Sequence, residues 1–231
     1  MNDWRKEQKQ IYDKIMDKSK SGHQYVYHEN TANMLDKIIP KKGKILDVGC
    51  GSGQLETRLS DREWYGIDIS PKSVRAAKKF CKVAVTGDAT KRIPFRSNYF
   101  DYAVAIAFFH HTPGAIRQSL KEIRRVLKPK GKLIIIDHDK SDTHTRLLHE
   151  GPLRLVPSGN ERVFYPDQMV AWLKDEGFDA SGFEMISMYA DQQALKPSIV
   201  VRMIKVPFLL IFSKLGKKTT GHFLINARVI K

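Results

Sequence analysis

The stretch Ile45-Leu46-Asp47-Val48 runs directly into Gly49-Cys50-Gly51-Ser52-Gly53. Glycines in such a turn let backbone approach a ligand closely and take up left-handed conformations. A helix beginning there supplies N–H groups that have no intrahelical partner. The spacing is G-x-G-x-G followed by Gln54, not the G-x-G-x-x-G of dinucleotide sites. Asp47 stands ahead of the loop, where a carboxylate repels a pyrophosphate and suits a cation. The pattern therefore points to a ligand with an ammonium or sulfonium group. Two further acids follow at expected strand ends. Asp68 closes Tyr65-Gly66-Ile67-Asp68-Ile69-Ser70, where it can accept from both ribose hydroxyls. Asp88, in Thr86-Gly87-Asp88-Ala89, can accept from an adenine amino group. Open α/β sheets bind ligands outside the carboxyl ends of their strands, so three such strand ends outweigh any single motif.

Imidazoles form a second group. His110 and His111 follow Ala105-Ile106-Ala107-Phe108-Phe109, and His138 lies between Asp137 and Asp139. Each could serve as a base or hydrogen-bond an acceptor. Each could equally pack or order a loop, and the acids beside His138 could instead pair with Lys140 and Arg146. Asp137, His138, Asp139 and His144 have the side chains of a metal site, but no metal is assigned. Cys50 and Cys81 are too few for a disulfide framework or a Cys-rich centre.

The elements that would position these groups alternate. Expected strands cover 44–48, 64–69, 83–86, 99–107 and 132–137, with helices at 55–59, 73–80 and 116–127. Lys128-Pro129-Lys130-Gly131 is read as a turn. Strands buried on both faces with helices between them make a parallel, doubly wound α/β sheet. Further on, a helix at 166–176 and strands at 183–189 and 221–230 suggest an antiparallel edge. Ahead of the core, helices are expected at 3–18 and 28–39, in an N-terminal piece that carries Tyr12, Tyr25 and Tyr27. One domain of 1–231 follows: an N-terminal helical lid over 1–40, a cofactor-binding core over 41–140, and an acceptor-side half over 141–231 with an insert at about 191–220.

The 231 residues hold 40 Lys and Arg against 25 Asp and Glu, a net charge of +15. The excess is concentrated in Arg117–Lys132 and Gln192–Lys231, with +6 and +8 respectively. Such patches favour anionic partners or simply form a solvated basic face. The polar N-terminus lacks the apolar core of a signal peptide, and no run of about 18 apolar residues occurs. With so few cysteines, a cytoplasmic location is expected.

Asp47-Val48-Gly49-Cys50-Gly51-Ser52-Gly53, Asp68, Gly87-Asp88 and Arg125-Val126-Leu127-Lys128-Pro129-Lys130-Gly131 together resemble the class I S-adenosylmethionine-dependent methyltransferases, in the branch acting on small molecules and quinones. The specific motifs cover residues 44–138. The resemblance implies a seven-stranded Rossmann-like sheet of order 3-2-1-4-5-7-6 with the last strand antiparallel. It implies that Asp47, Gly49, Cys50, Gly51 and Gly53 meet the methionine part of S-adenosylmethionine, and Asp68 and Ile69 the ribose. Gly87, Asp88 and Ala89 would meet the adenine, with Ala105 beside the cofactor and Tyr12 closing over it. Tyr12 could also be only a helix-packing aromatic. Lys130 departs from the family, which usually has glycine there.

Acceptor identity then rests on the loops after strands four and five, which makes His110, His111 and His138 the candidate catalytic residues. The first loop lacks the Asn-Pro-Pro-Tyr or Asp-Pro-Pro-Tyr of amino-directed enzymes. Tyr12-Asp13 resembles the entry of quinone-ring methyltransferases. The apolar, basic segment 196–218 could cover a lipophilic acceptor, touch an anionic membrane surface, or merely pack on the sheet. The expected function is methyl transfer to a small, lipophilic or quinone-like acceptor. A tRNA wobble-uridine methyltransferase is the alternative, because Ile93-Pro94-Phe95-Arg96-Ser97 and the His-His loop also resemble those enzymes. Nucleic acid ranks behind the small molecule, because the basic C-terminus is interleaved with aliphatics and not stacking aromatics. A non-catalytic cofactor-binding scaffold is the third reading.

Overall fold

Continuous apolar runs become the centre of the sheet. In β1 (Lys44–Val48), Ile45, Leu46 and Val48 are wholly buried, as they must be in a strand covered on both faces. The computed structural model describes residues 22–142, 162–187 and 221–230, with Lys6, Lys9, Gln10, Thr145 and Arg146 besides. Tyr12, His144 and the 191–220 insert lie outside the described residues. Helix α1 (Gly22–Ile38) precedes β1, and Ala32, Leu35 and Ile39 pack beneath the sheet.

From β1 the chain winds through α2 (Gln54–Arg58), β2 (Glu63–Asp68), α3 (Pro71–Ala77), β3 (Val83–Thr86) and β4 (Phe100–Ile106). A 3-10 turn at Phe109–His111 leads to α4 (Ile116–Val126) and β5 (Leu127–His138). Then come α5 (Pro166–Asp175), β6 (Phe178–Asp179), β7 (Glu184–Ser187) and β8 (Gly221–Val229). Helix α4 turns Leu120, Ile123 and Val126 into the core at helical spacing and leaves Arg117, Lys121 and Arg124 on its outer side.

The sheet runs β3-β2-β1-β4-β5-β8-β6, and β7 also pairs with β8. Its first five strands are parallel, and β8 is antiparallel to β5, β6 and β7. This is the expected order, with the sixth strand split into β6 and β7. Gly182 sits between the two pieces.

Two boundaries differ from expectation by five residues or more. Helix α1 starts at Gly22, not His28. Strand β5 begins at Leu127, so the expected turn at 128–131 is a bulged extension of it. Phe100 pairs with Leu127, but Tyr102 pairs with Lys132, and Lys130 absorbs the extra chain with a left-handed φ of 64°. Among the described residues, no helix is long and apolar enough to cross a membrane.

Much of the basic charge at 117–132 has internal work. Arg117 pairs with Glu176 at 2.8 Å and Lys128 with Asp101 at 2.6 Å. Arg125 pairs with Glu122 at 2.7 Å and donates to the carbonyls of Ile93 and Phe95 at 2.7 and 3.0 Å. The Arg-Val-Leu-Lys-Pro motif thus clamps α4 to the segment that leads into β4.

Candidate active site

The glycine loop is tied to the end of β2. Gly49 and Cys50 N–H both donate to the Ile67 carbonyl, at 2.8 and 3.1 Å, and Gly53 N–H closes back onto the Cys50 carbonyl. Gly51 N–H donates to Asp68 Oδ2 at 3.0 Å, while Ser70 N–H holds Oδ1 at 2.8 Å. The loop amides are therefore largely occupied with shaping the loop, and less free for a ligand than the sequence suggests. Gly51 has a φ of +52°, and a Cβ built there would meet nothing within 4 Å. Open space over a left-handed glycine, beside a carboxylate fixed by two N–H donors, fits a nucleoside ligand with a cationic end. Gly53 is required for another reason: its Cβ would lie 3.1 Å from Ala77 Cα.

The other cofactor-side residues take distinct places. Gly87 N–H donates to the Asp68 carbonyl at 2.9 Å and joins the ends of β2 and β3. Asp88 Oδ1 is held by the N–H and hydroxyl of Thr90, at 2.9 and 2.6 Å. Ile69 is half-buried beside Asp68, whereas Ala89 and Ala105 are buried in the core. The Cys50 thiol is buried against Gly66 of β2, where a Cβ would come within 2.6 Å of Sγ, and donates weakly to the Gly51 carbonyl at 3.8 Å.

Asp47 is also buried and faces Glu56 of α2. Burial above all, then the charges of Glu56 and Asp68, pushes its carboxyl well above the usual range. Asp68, and not Asp47, is the carboxylate at the surface of the loop. Sequence reasoning passed over Glu56, since a glutamate in a short helix carries no signal of its burial.

Across the same sheet edge, β4, β5 and β8 bring imidazoles together. Ala107 leaves β4 with a φ of 51°, a strained conformation that re-aims the chain into the 3-10 turn. Asp137 at the end of β5 accepts from Phe109 N–H at 2.8 Å on Oδ2 and from His138 N–H at 2.8 Å on Oδ1. Its Oδ1 also lies 2.6 Å from Nδ1 of His110. Burial raises the Asp137 carboxyl, but the His110 charge and hydrogen bond, with the His138 N–H, more than offset this and hold it below the usual range. His110, not His138, is thus the imidazole that Asp137 orients.

His111 lies tilted against His110 with ring centroids 3.8 Å apart, His138 meets His110 edge-on at 4.5 Å, and His222 lies 4.5 Å from His138. His222 was missed in the sequence; only the register of β5 against β8, which pairs His138 with His222, brings it here. Among the described residues, no set of three or more His, Cys, Asp or Glu is arranged to hold a metal ion. The edge is thus divided: acids on the β1–β3 side, imidazoles on the β4–β5–β8 side.

Comparisons with known proteins agree with this geometry. A methyltransferase domain family matches residues 46–135. A ubiquinone/menaquinone biosynthesis C-methyltransferase of Roseobacter denitrificans is 30% identical over 187 residues, covering 67% of this chain and 74% of that protein. A tRNA (carboxymethyluridine(34)-5-O)-methyltransferase of Arabidopsis thaliana is 30% identical over 112 residues, 48% of this chain but only 28% of that protein. In fold, the chain is similar to an S-adenosylmethionine-dependent methyltransferase of Thermotoga maritima, described as a possible histamine N-methyltransferase. The TM-score is 0.70 at 16% identity, over 95% of this chain and 99% of that one. The matched motifs, the sheet order and the cradle at Gly51 and Asp68 lead to one conclusion: this chain belongs to the class I S-adenosylmethionine-dependent methyltransferases, is an enzyme of that kind, and takes S-adenosylmethionine as its cofactor.

Proposed function

We propose that the enzyme methylates a small, lipophilic, quinone-like acceptor carrying an ionisable hydroxyl group. The observation that carries this reading is the buried Asp137–His110 pair on the acceptor side of the sheet edge. Similarity to the Roseobacter quinone-pathway enzyme supports it. Asp68 would hold the ribose, Asp88 the adenine, and the Gly49–Gly53 loop the methionine part. The bound cofactor supplies a methyl group already activated on a sulfonium, so the protein has mainly to align the acceptor and exclude water. With Nδ1–H donated to Asp137, His110 keeps Nε2 as the acceptor atom. That nitrogen takes the hydroxyl proton as the acceptor becomes a better nucleophile. Asp137 then stabilises the imidazolium that results. His111 and His138 hold the His110 ring in place.

Methyl transfer with radiolabelled cofactor, screened against hydroquinones, other lipids and total tRNA, tests this reading. Labelled quinol, lost in His110→Gln, is the expected result. The Arabidopsis relative favours tRNA as the second acceptor, and label in tRNA would replace the proposal. Cofactor binding with no turnover on any pool would leave a binding scaffold.

A further inference from the structure

Glu56 has no part in the chemistry above, yet it is fully buried in the first turn of α2, directly behind the glycine loop. The titratable groups around it are acids from four separate segments. Asp47 on β1 and Asp68 at the end of β2 bring negative charge close to it. Cys50 lies in the loop, and the Cys81 thiol, ahead of β3, donates to Glu56 Oε1 at 3.5 Å. Glu56 Oε2 meets no donor among the described residues.

A carboxylate oxygen buried without a donor favours the protonated acid, and a second buried carboxyl nearby adds to this, so Asp47 and Glu56 together hold a proton. Burial is the main cause that brings Glu56 up to about 7, so this proton is exchangeable near neutrality. An apolar side chain would fill the space at less cost to stability. What the pair adds is a negative charge that can grow under the loop when a cation settles there, in surroundings where charges are poorly screened.

We propose that Glu56 is a specificity-determining residue of the cofactor site: with Asp47 it holds one proton that leaves when the cationic cofactor binds, favouring S-adenosylmethionine over the uncharged sulfur of its product, S-adenosylhomocysteine. The proposal rests on the cofactor, not on the choice of acceptor. The bound cation lowers the affinity of the pair for its proton. At low pH the proton stays in both states, and at high pH it is gone from both. Between those limits binding expels it, and cofactor affinity rises with pH.

Titration calorimetry of the full chain with each ligand, in phosphate and in Tris at pH 6, 7 and 8, counts the protons. The wild type should release at most ~0.5 proton with S-adenosylmethionine at pH 7, where a group titrating at about 7 is half-protonated, and fewer with S-adenosylhomocysteine. Glu56→Gln and Glu56→Leu should release none, and their preference for the cation should fall by roughly 5-fold. The Leu variant answers the question if the Gln variant does not fold. No buffer-dependent heat in the wild type would overturn the proposal. So would unchanged proton release in a folded variant.

Discussion

Replacing Asp137 by Asn keeps the shape of the side chain and removes one acceptor. The carboxylate accepts from Phe109 N–H on one oxygen, and from His138 N–H and His110 on the other. An amide can serve only one side. If its NH2 group faces Phe109, two donors meet at about the 2.8 Å now spanned by a hydrogen bond. If it faces His110, the imidazole must switch tautomer, and Nε2 acquires the hydrogen it needs to lack. Either way a buried donor loses its partner, which costs about 1–3 kcal/mol, and the hydrogen bonds of the carboxylate to its other donors weaken as well. Together these put the expected loss of stability at about 2–5 kcal/mol. The folded Asp137 carboxyl lies below its ordinary value. Its contribution is therefore complete above about pH 4 and is lost as pH falls through the folded value. Denaturant melts should show the full deficit at pH 7 and convergence of the two proteins in acid. Methyl transfer should drop by ~10²–10⁴, the usual contribution of a positioned base. His110→Gln should lose as much activity with less loss of stability. A folded Asp137→Asn enzyme that kept its rate and pH profile would refute the base assignment. Loss of stability without the pH convergence would show that the Asp137 carboxyl is not ionised.

Other substitutions probe the frame. Asp68→Ala removes the proposed ribose acceptor and frees Gly51 N–H, so calorimetry should show S-adenosylmethionine binding weakened by roughly 10- to 100-fold. Unchanged affinity would mean that the ligand lies elsewhere. Lys130→Gly relieves a left-handed residue at some cost in chain entropy, and should raise stability by about 0.5–1 kcal/mol in a denaturant melt. Arg125→Lys cannot reach Glu122 and two carbonyls at once, and should cost about 2 kcal/mol while leaving cofactor affinity unchanged.

How far the molecule could be read beforehand depends on the range of the contacts. The alternating strands and the glycine loop were legible because apolar runs and turn glycines act over a few residues, whereas the sheet order came with the family resemblance. Asp137 was recognised as an acid beside a histidine. Its real partner, His110, stands on another strand end, and adjacency in the chain suggested His138. Glu56 and His222 were invisible for a similar reason: one is turned inward by a five-residue helix, the other is carried in by β-register. The basic run at 117–132 read as a surface patch because its partners Glu176 and Asp101 lie far along the chain.

The split edge strand has a consequence for how acceptor choice can change. Ser187 at the end of β7 pairs directly with Gly221 at the start of β8, one residue before His222. Ser187 and Gly221 therefore stand side by side, next to the imidazoles. Doubling the length of a segment closed between two such points costs only about 0.6 kcal/mol in closure entropy. The junction is thus a graft point, where segments can be exchanged while the sheet register on either side stays as it is.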